Sequence, residues 1–212
     1  MKVISVNVSL PCTITWSGRE IETGIFKEPI DGPCEVKTLN LAGDQQADLT
    51  VHGGPHKAVY GYPVEHYDFW REFLGLPELP FGAMGENLTT EGLTEDNLNI
   101  GDVVKIGTTE LVVAQPRNPC YKMQAKFNRE DIVRRFIESG FSGFYFFVRK
   151  EGMLQRGDHI EILSRDDQRI RVSDINRIQR GEPVDPALLR RALTIDALPD
   201  QWKNKIRRAM GE

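Results

Sequence analysis

The sequence predicts an α+β fold, mainly β, with a β-rich body over residues 1–164 and a small three-helix domain over residues 165–212. Three observations carry this. Short runs of apolar residues bounded by Gly, Pro, Asp or Asn recur along most of the chain, two helix-period stretches interrupt them, and near Ser164 the strand-like runs give way to helical ones.

The first strand is marked by Ile4, Val6, Val8 and Leu10 alternating with Ser5, Asn7 and Ser9, the period of a half-buried strand. Further strands are expected at Cys34–Leu39, Asp102–Ile106, Glu110–Val113, Phe144–Val148 and His159–Leu163. Gly107-Thr108-Thr109 and Glu151-Gly152 read as antiparallel turns between neighbouring strands. One helix is expected from Pro63 to Leu74, with Val64, Tyr67, Trp70 and Leu74 on one face and a stop at Gly75. A second is expected to be capped by Asn128 and to run through Ile132, Val133, Phe136 and Ile137 to Gly140. In the tail, Ser173 or Asp174 caps a helix ending at Gly181, Asp185-Pro186 starts another, and Leu198-Pro199-Asp200 starts the third, which carries Trp202, Ile206 and Met210. None is long enough to be stable alone, so the three must pack on one another or on the body.

At 212 residues the chain can bury a sizeable core without staples. With 27 basic and 31 acidic residues and a net charge of −4, it has no overall bias toward nucleic acid or an anionic membrane, so any anion site must be local. No stretch reaches about 18 apolar residues, and the N-terminus has no long apolar signal region. Cys12, Cys34 and Cys120 form neither a disulfide framework nor a four-ligand zinc set. A soluble, cytoplasmic protein is the expectation.

The run Ala114-Gln115-Pro116-Arg117-Asn118-Pro119-Cys120-Tyr121-Lys122 is the most informative segment. A thiol ligates soft metals or attacks electrophiles as the thiolate, which nearby cations such as Arg117 and Lys122 favour. Two prolines fix their own φ and cannot extend a ladder, so Cys120 is expected on a stiff loop. The competing reading is a small buried hydrophobe, the role assigned to Cys12 and Cys34. Elsewhere, His52-Gly53-Gly54 before Lys57 suits either close backbone approach to an anion or an ordinary turn. His52 and His56 are four apart, but the intervening Gly-Gly-Pro argues against a two-ligand helical face. Gly85-Glu86-Asn87-Leu88-Thr89 adds an amide and a hydroxyl beside a glycine, although it also reads as a plain strand-entry loop.

The order Gly43-Asp44, Asp48, His52-Gly53-Gly54, Lys57-Ala58-Val59, then Gly85 to Thr89, Ile100-Gly101-Asp102 and Gln115 to Cys120 resembles the MOSC family, named for the molybdenum cofactor sulfurase C-terminal domain. More narrowly it is similar to the YiiM-type, 6-N-hydroxylaminopurine resistance branch, which Thr23-Gly24-Ile25-Phe26-Lys27 and the three-helix tail also match. The resemblance implies a β-barrel-like MOSC domain with peripheral helices and a three-α domain behind it. It also implies the molybdenum cofactor (molybdopterin) and reduction of N-hydroxylated small molecules, such as hydroxylaminopurine bases, as a detoxification. Cys120 becomes the expected molybdenum ligand, in keeping with the affinity of soft thiolates for such metals. Arg117, Lys57 and Lys122 become candidates for the pterin phosphate, and His52 for a cofactor hydrogen bond or proton relay. Gly53 and Gly54 become a candidate backbone approach; Asn87, Thr89 and Asn118 become candidate polar contacts.

The expected reaction removes the N–OH oxygen, consuming two electrons and two protons to give the amine and water. The chain has no dinucleotide fingerprint and no haem or iron–sulfur cysteine set, so a separate electron-donor reductase is an expected partner. Two alternatives stay open: a persulfide carrier on Cys120, and a protein that binds and delivers the molybdenum cofactor without turnover.

Overall fold

The computed structural model describes residues 1–48 and 53–211, so His52 lies outside the described residues. The fold is α+β with strand outweighing helix. An eight-stranded sheet contains β1 (Lys2–Val8), β4 (Glu28–Pro29), β6 (Val59–Pro63), β7 (Leu88–Glu91), β8 (Val103–Ile106), β9 (Thr109–Pro116), β10 (Phe144–Lys150) and β12 (Ile160–Ser164), in the order β12-β8-β9-β10-β6-β7-β1-β4. All neighbours are antiparallel except β6 and β7. The sheet closes on itself. Val3 N donates to Asp158 O (2.9 Å), Gly157 N to Val3 O (2.9 Å) and Ile160 N to Met1 O (3.0 Å), so β1 meets the entry to β12 and a barrel results. Outside it lie the hairpin β2 (Cys12–Trp16) and β3 (Arg19–Thr23), and the pair β5 (Cys34–Val36) and β11 (Gly152–Leu154).

Several expectations need correction. β1 is buried on both faces: Val3 and Val6 enter the core, but Ser5 and Asn7 are buried too, because they face a polar network rather than water. Cys12 opens β2 and is exposed rather than the small buried hydrophobe expected, and the strand begun by Cys34 stops at Val36, where Lys37 N turns back to Asn40 O. Gly107 does turn β8 into β9, whereas Glu151-Gly152 joins strands that do not pair: β10 lies between β9 and β6, and β11 pairs with β5. Pro63 ends β6; a 3-10 turn at Val64–His66 leads into α1 (Tyr67–Leu74), which Gly75 closes in the left-handed conformation. Asn128 is not an N-cap. It ends α2 (Lys122–Phe127) in the left-handed conformation, and Asp131 precedes α3 (Ile132–Ser139). In the tail, α4 (Val172–Gln179) is preceded by Arg171, whose N–H is accepted by Asp174. α5 (Pro186–Leu193) is capped by Asp185, whose carboxylate accepts from Ala187 N, and α6 (Asp200–Ala209) follows Pro199.

Two apolar clusters hold the molecule together. The larger is mostly Val, Ile and Leu and passes from the barrel interior (Val6, Leu88, Val104, Leu111, Val113) into the tail (Ile175, Leu189, Ile195, Trp202, Ile206). The smaller gathers Tyr60, Tyr62, Tyr67, Trp70, Met84, Met123, Ile132 and Phe136 between β6, α1, α2 and α3. The tail is further fastened by Asn176 of α4, whose amide donates to Gly140 O (3.0 Å) and Ser142 Oγ (2.8 Å).

Candidate functional site

At the rim of the smaller core lies a cleft enclosing about 570 Å³ of empty space, its open mouth included. One wall is Thr23 to Ile25 with Lys27, another is Asp44 to Ala47, and the third carries Arg117, Cys120 and Lys122. Lys57, Tyr60, Tyr145, Gly85 and Asn87 complete it. β9 delivers the third wall. Its last residue, Pro116, still sits opposite Phe144 in the ladder, so the chain leaves the sheet there and passes through Cys120, whose carbonyl accepts Met123 N (3.0 Å), into α2.

Positive charge dominates the walls. Arg117 is buried, donates to Met84 O, and holds its guanidinium carbon 4.7 Å from the Tyr60 ring centroid. Burial opposes its charge, but Tyr60, Tyr145 and Cys120 more than offset that, so its pKa lies above that of an ordinary arginine. Lys27 is ion-paired with Asp44 and its pKa is lowered, chiefly by burial. Burial also lowers the pKa of Lys57. Behind the wall, Lys126 donates to Ile25 O (2.9 Å) and Gly82 O (3.0 Å); desolvation brings its pKa down to about 8. Lys122 is 9% exposed and has no ion-pair or hydrogen-bond partner among the described residues. The stem of the side chain is covered and the residue opens onto the cleft.

Beneath these cations runs a polar network that holds the glycine-rich loop. Glu86 accepts through Oε1 from Gly82 N (3.0 Å), Thr89 Oγ1 (2.9 Å) and the Tyr67 hydroxyl, while its buried Oε2 has no hydrogen-bond partner among the described residues. Gly82 and Gly85 both take φ above +80°, and a Cβ on Gly85 would meet Ile25 at 2.9 Å, so the close fit of this loop requires glycine. Tyr60 and Tyr145 lie with ring centroids 4.9 Å apart and planes tilted by 34°, and burial raises the pKa of both phenols.

His52 lies outside the described residues, and the other expected site residues divide in two. Cys120, Lys57, Arg117, Lys122 and Asn87 meet in the cleft. Asn87, however, has its amide engaged by Tyr60 N (3.0 Å), Asn7 O (3.3 Å) and Asp44 Oδ2 (2.9 Å), which makes it a brace of the wall. Four others lie outside. Thr89 is buried between Asn7 and Glu86; Gly53 and Gly54 precede the 3-10 turn Pro55–Lys57, where Gly54 supplies a φ of 95°; Asn118 opens onto a separate groove beside α6. Sequence reading did not single out Lys27, Tyr60, Tyr145, Gln45 or Gln46 as site residues. Lys27 directly follows Ile25-Phe26 in a quoted motif, which was the available signal; the tyrosines look like ordinary strand aromatics.

A family model described as "MOSC domain" matches residues 48–161, and a second, "YiiM-like, 3-alpha helix domain", matches residues 172–208. The chain belongs to the MOSC family. Within that family, it is 43% identical over 201 residues to the uncharacterized protein YflK of Bacillus subtilis, covering 95% of this chain and 90% of that one. It is 37% identical over 182 residues to Protein YiiM of Escherichia coli, covering 85% and 81% respectively. A Gibberella moniliformis protein named "Reductase" is 34% identical over 198 residues, covering 91% of this chain but 35% of the fungal protein. The crystal structure of YiiM from Geobacillus stearothermophilus superposes with a TM-score of 0.81 at 31% identity, covering 99% of this chain and 98% of that one. MOSC domains are associated in general with binding the molybdenum cofactor.

The residues present fit such a group. Among the described residues no three His, Cys, Asp or Glu side chains are grouped to hold a metal ion, so a metal at Cys120 must bring most of its ligands with it. An unpartnered Lys122 ammonium and a buried guanidinium in the same cleft suit the phosphate of a cofactor that does so.

Proposed function

We propose that this chain is a molybdenum-cofactor-dependent reductase of N-hydroxylated compounds, supplied with electrons by a separate donor protein. The observation that carries the proposal is the meeting of Cys120 with Lys122, Arg117, Lys57 and Lys27 in one cleft. When bound, the cofactor supplies a two-electron redox centre able to take up oxygen. Cys120 would hold its metal and the cations its phosphate. Tyr60 and Tyr145, with phenol pKa values raised by burial, stay protonated and serve as walls rather than bases, the Tyr60 hydroxyl being spent on Ser142 O (2.7 Å). Lys57 lines the same cleft as the other cations, and burial lowers its pKa. The net change is R–NHOH plus two electrons and two protons to R–NH2 and water. A fungal relative named a reductase supports an oxidoreductase reading.

The test is reduction of 6-hydroxylaminopurine by protein from a cofactor-competent host with an artificial electron donor. Turnover that falls to background in Cys120→Ala and in cofactor-deficient protein is the expected result. Turnover surviving Cys120→Ala removes the thiolate from the mechanism, and metal-loaded but inactive wild-type protein favours carriage of the cofactor. A cyanide-labile sulfur on Cys120 without any need for metal favours a persulfide carrier.

A further inference from the structure

The last helix reaches the cleft through a chain of hydrogen bonds. Trp202 of α6 is 1% exposed, and its indole N–H donates to Gln115 Oε1 at 2.9 Å. Gln115 in turn donates through Nε2 to His56 O at 2.9 Å. His56 belongs to the 3-10 turn Pro55–Lys57, and Lys57 lines the cleft. Gln115 also stands two residues before Arg117, at the end of β9. α6 also brings Asp200 within range for its charge to act on His56, and a groove lined by Asn118, Gln201 and Trp202 lies between α6 and the cysteine loop.

A helix that only covered the barrel would need apolar packing alone, which α6 already has through Ile206. A buried amide costs free energy unless it is paired, and its hydrogen bonds are directional where apolar contact is not. The Gln115 amide spends its oxygen on the tail and its nitrogen on the turn that carries Lys57.

We propose that Trp202 and Gln115 are positioning residues, through which the helical tail sets the placement of Lys57 and with it the anion affinity of the cleft. The inference deepens the reading of the cleft as a cofactor-phosphate site and rests on it. It also gives the three-helix domain a task that shielding the barrel would not require.

The full chain is used throughout, with Trp202→Phe, which keeps the ring and removes the N–H, and Gln115→Leu. Two readouts are taken well below the melting temperature: amide exchange at Lys57 and Ala58, whose N–H groups bond Gly54 O and Pro55 O, and the dissociation constant of inorganic phosphate. Both variants should speed exchange at the turn about threefold to tenfold and weaken phosphate by a similar factor, as expected for one lost hydrogen bond, while β8 and β9 amides keep their protection. Unchanged exchange at Lys57 and Ala58 overturns the proposal, as does unchanged phosphate affinity where wild type binds phosphate through Lys122. Failure of the cleft reading looks different: wild type that does not bind phosphate, or binds it equally well after Lys122→Ala, discards the anion site, and turn exchange still decides the role of Trp202.

Discussion

The larger core is built mostly from Val, Ile and Leu and runs without a break from the barrel into α5 and α6, whereas the smaller one sets Tyr, Trp, Phe and Met around polar heads. Apolar packing asks only for volume and shape, so the aliphatic core can join two sequence regions into one body. The aromatic core has a further constraint: its hydroxyls, indole N–H and guanidinium must each find a partner, as Trp70 finds the Tyr62 hydroxyl and Arg117 finds Met84 O. Such pairing fixes orientations. The cleft borders this second core, where orientation is most strictly determined.

The largest effect should come from breaking the continuity of the aliphatic core. Ile206→Ala, far from the cleft in sequence, should cost about 2–5 kcal/mol and lower the melting temperature of the whole chain in one transition. Calorimetry showing a separate tail transition would mean that the two parts fold independently. Gly61→Ala comes next. Its Cβ would meet the Phe144 ring at 2.6 and 3.0 Å, and a core ring has no room to yield, so a loss of about 1–3 kcal/mol by denaturant titration is expected. A neutral result would show that the ring moves and that packing there is looser than it looks.

Tyr62→Phe sharpens the contrast, because it keeps the apolar volume and removes only the hydroxyl. The buried Trp70 N–H and Phe141 O then lose their partner, for an expected cost of about 1–3 kcal/mol. If unfolding measurements show no loss, polar pairing does not distinguish the aromatic core after all. The last change is Lys126→Met, whose mark is the shape of the stability curve rather than its height. The Lys126 pKa, lowered by burial to about 8 from 10.5, means that between those values the unfolded chain binds more protons than the folded one. Stability should therefore rise with pH over that window in wild type, and this component should vanish in the variant. Identical slopes for the two proteins would place the Lys126 ammonium in a more solvated setting than its burial implies.

Local signals read well where local physics sets the outcome. Gly75 stops α1, Asp185-Pro186 starts α5, and Gly107 turns β8 into β9, because helix ends and tight turns depend on a few adjacent residues. They read poorly where a partner strand decides. Nothing near Glu151-Gly152 shows that β11 will pair with β5 rather than with β10, and nothing in Ser5 or Asn7 shows that their polar side faces Glu86 rather than water. Asn128 suits either end of a helix on composition, and the left-handed turn after Phe127 made it a C-cap.

The sequence by itself determined the α+β class, the helical tail, the family, and the presence of a cysteine flanked by cations on a proline-stiffened loop. The family came from the resemblance of its ordered motifs; the others follow from residue type and spacing along the chain. The tertiary structure decided which of the quoted residues meet: it brought Lys27 and Lys57 to Cys120, turned Asn87 into a brace, left Thr89 and Asn118 outside the cleft, and tied Trp202 to the turn at His56. Barrel closure and buried hydrogen bonding join positions far apart in sequence, and no local pattern encodes which side chains they bring face to face.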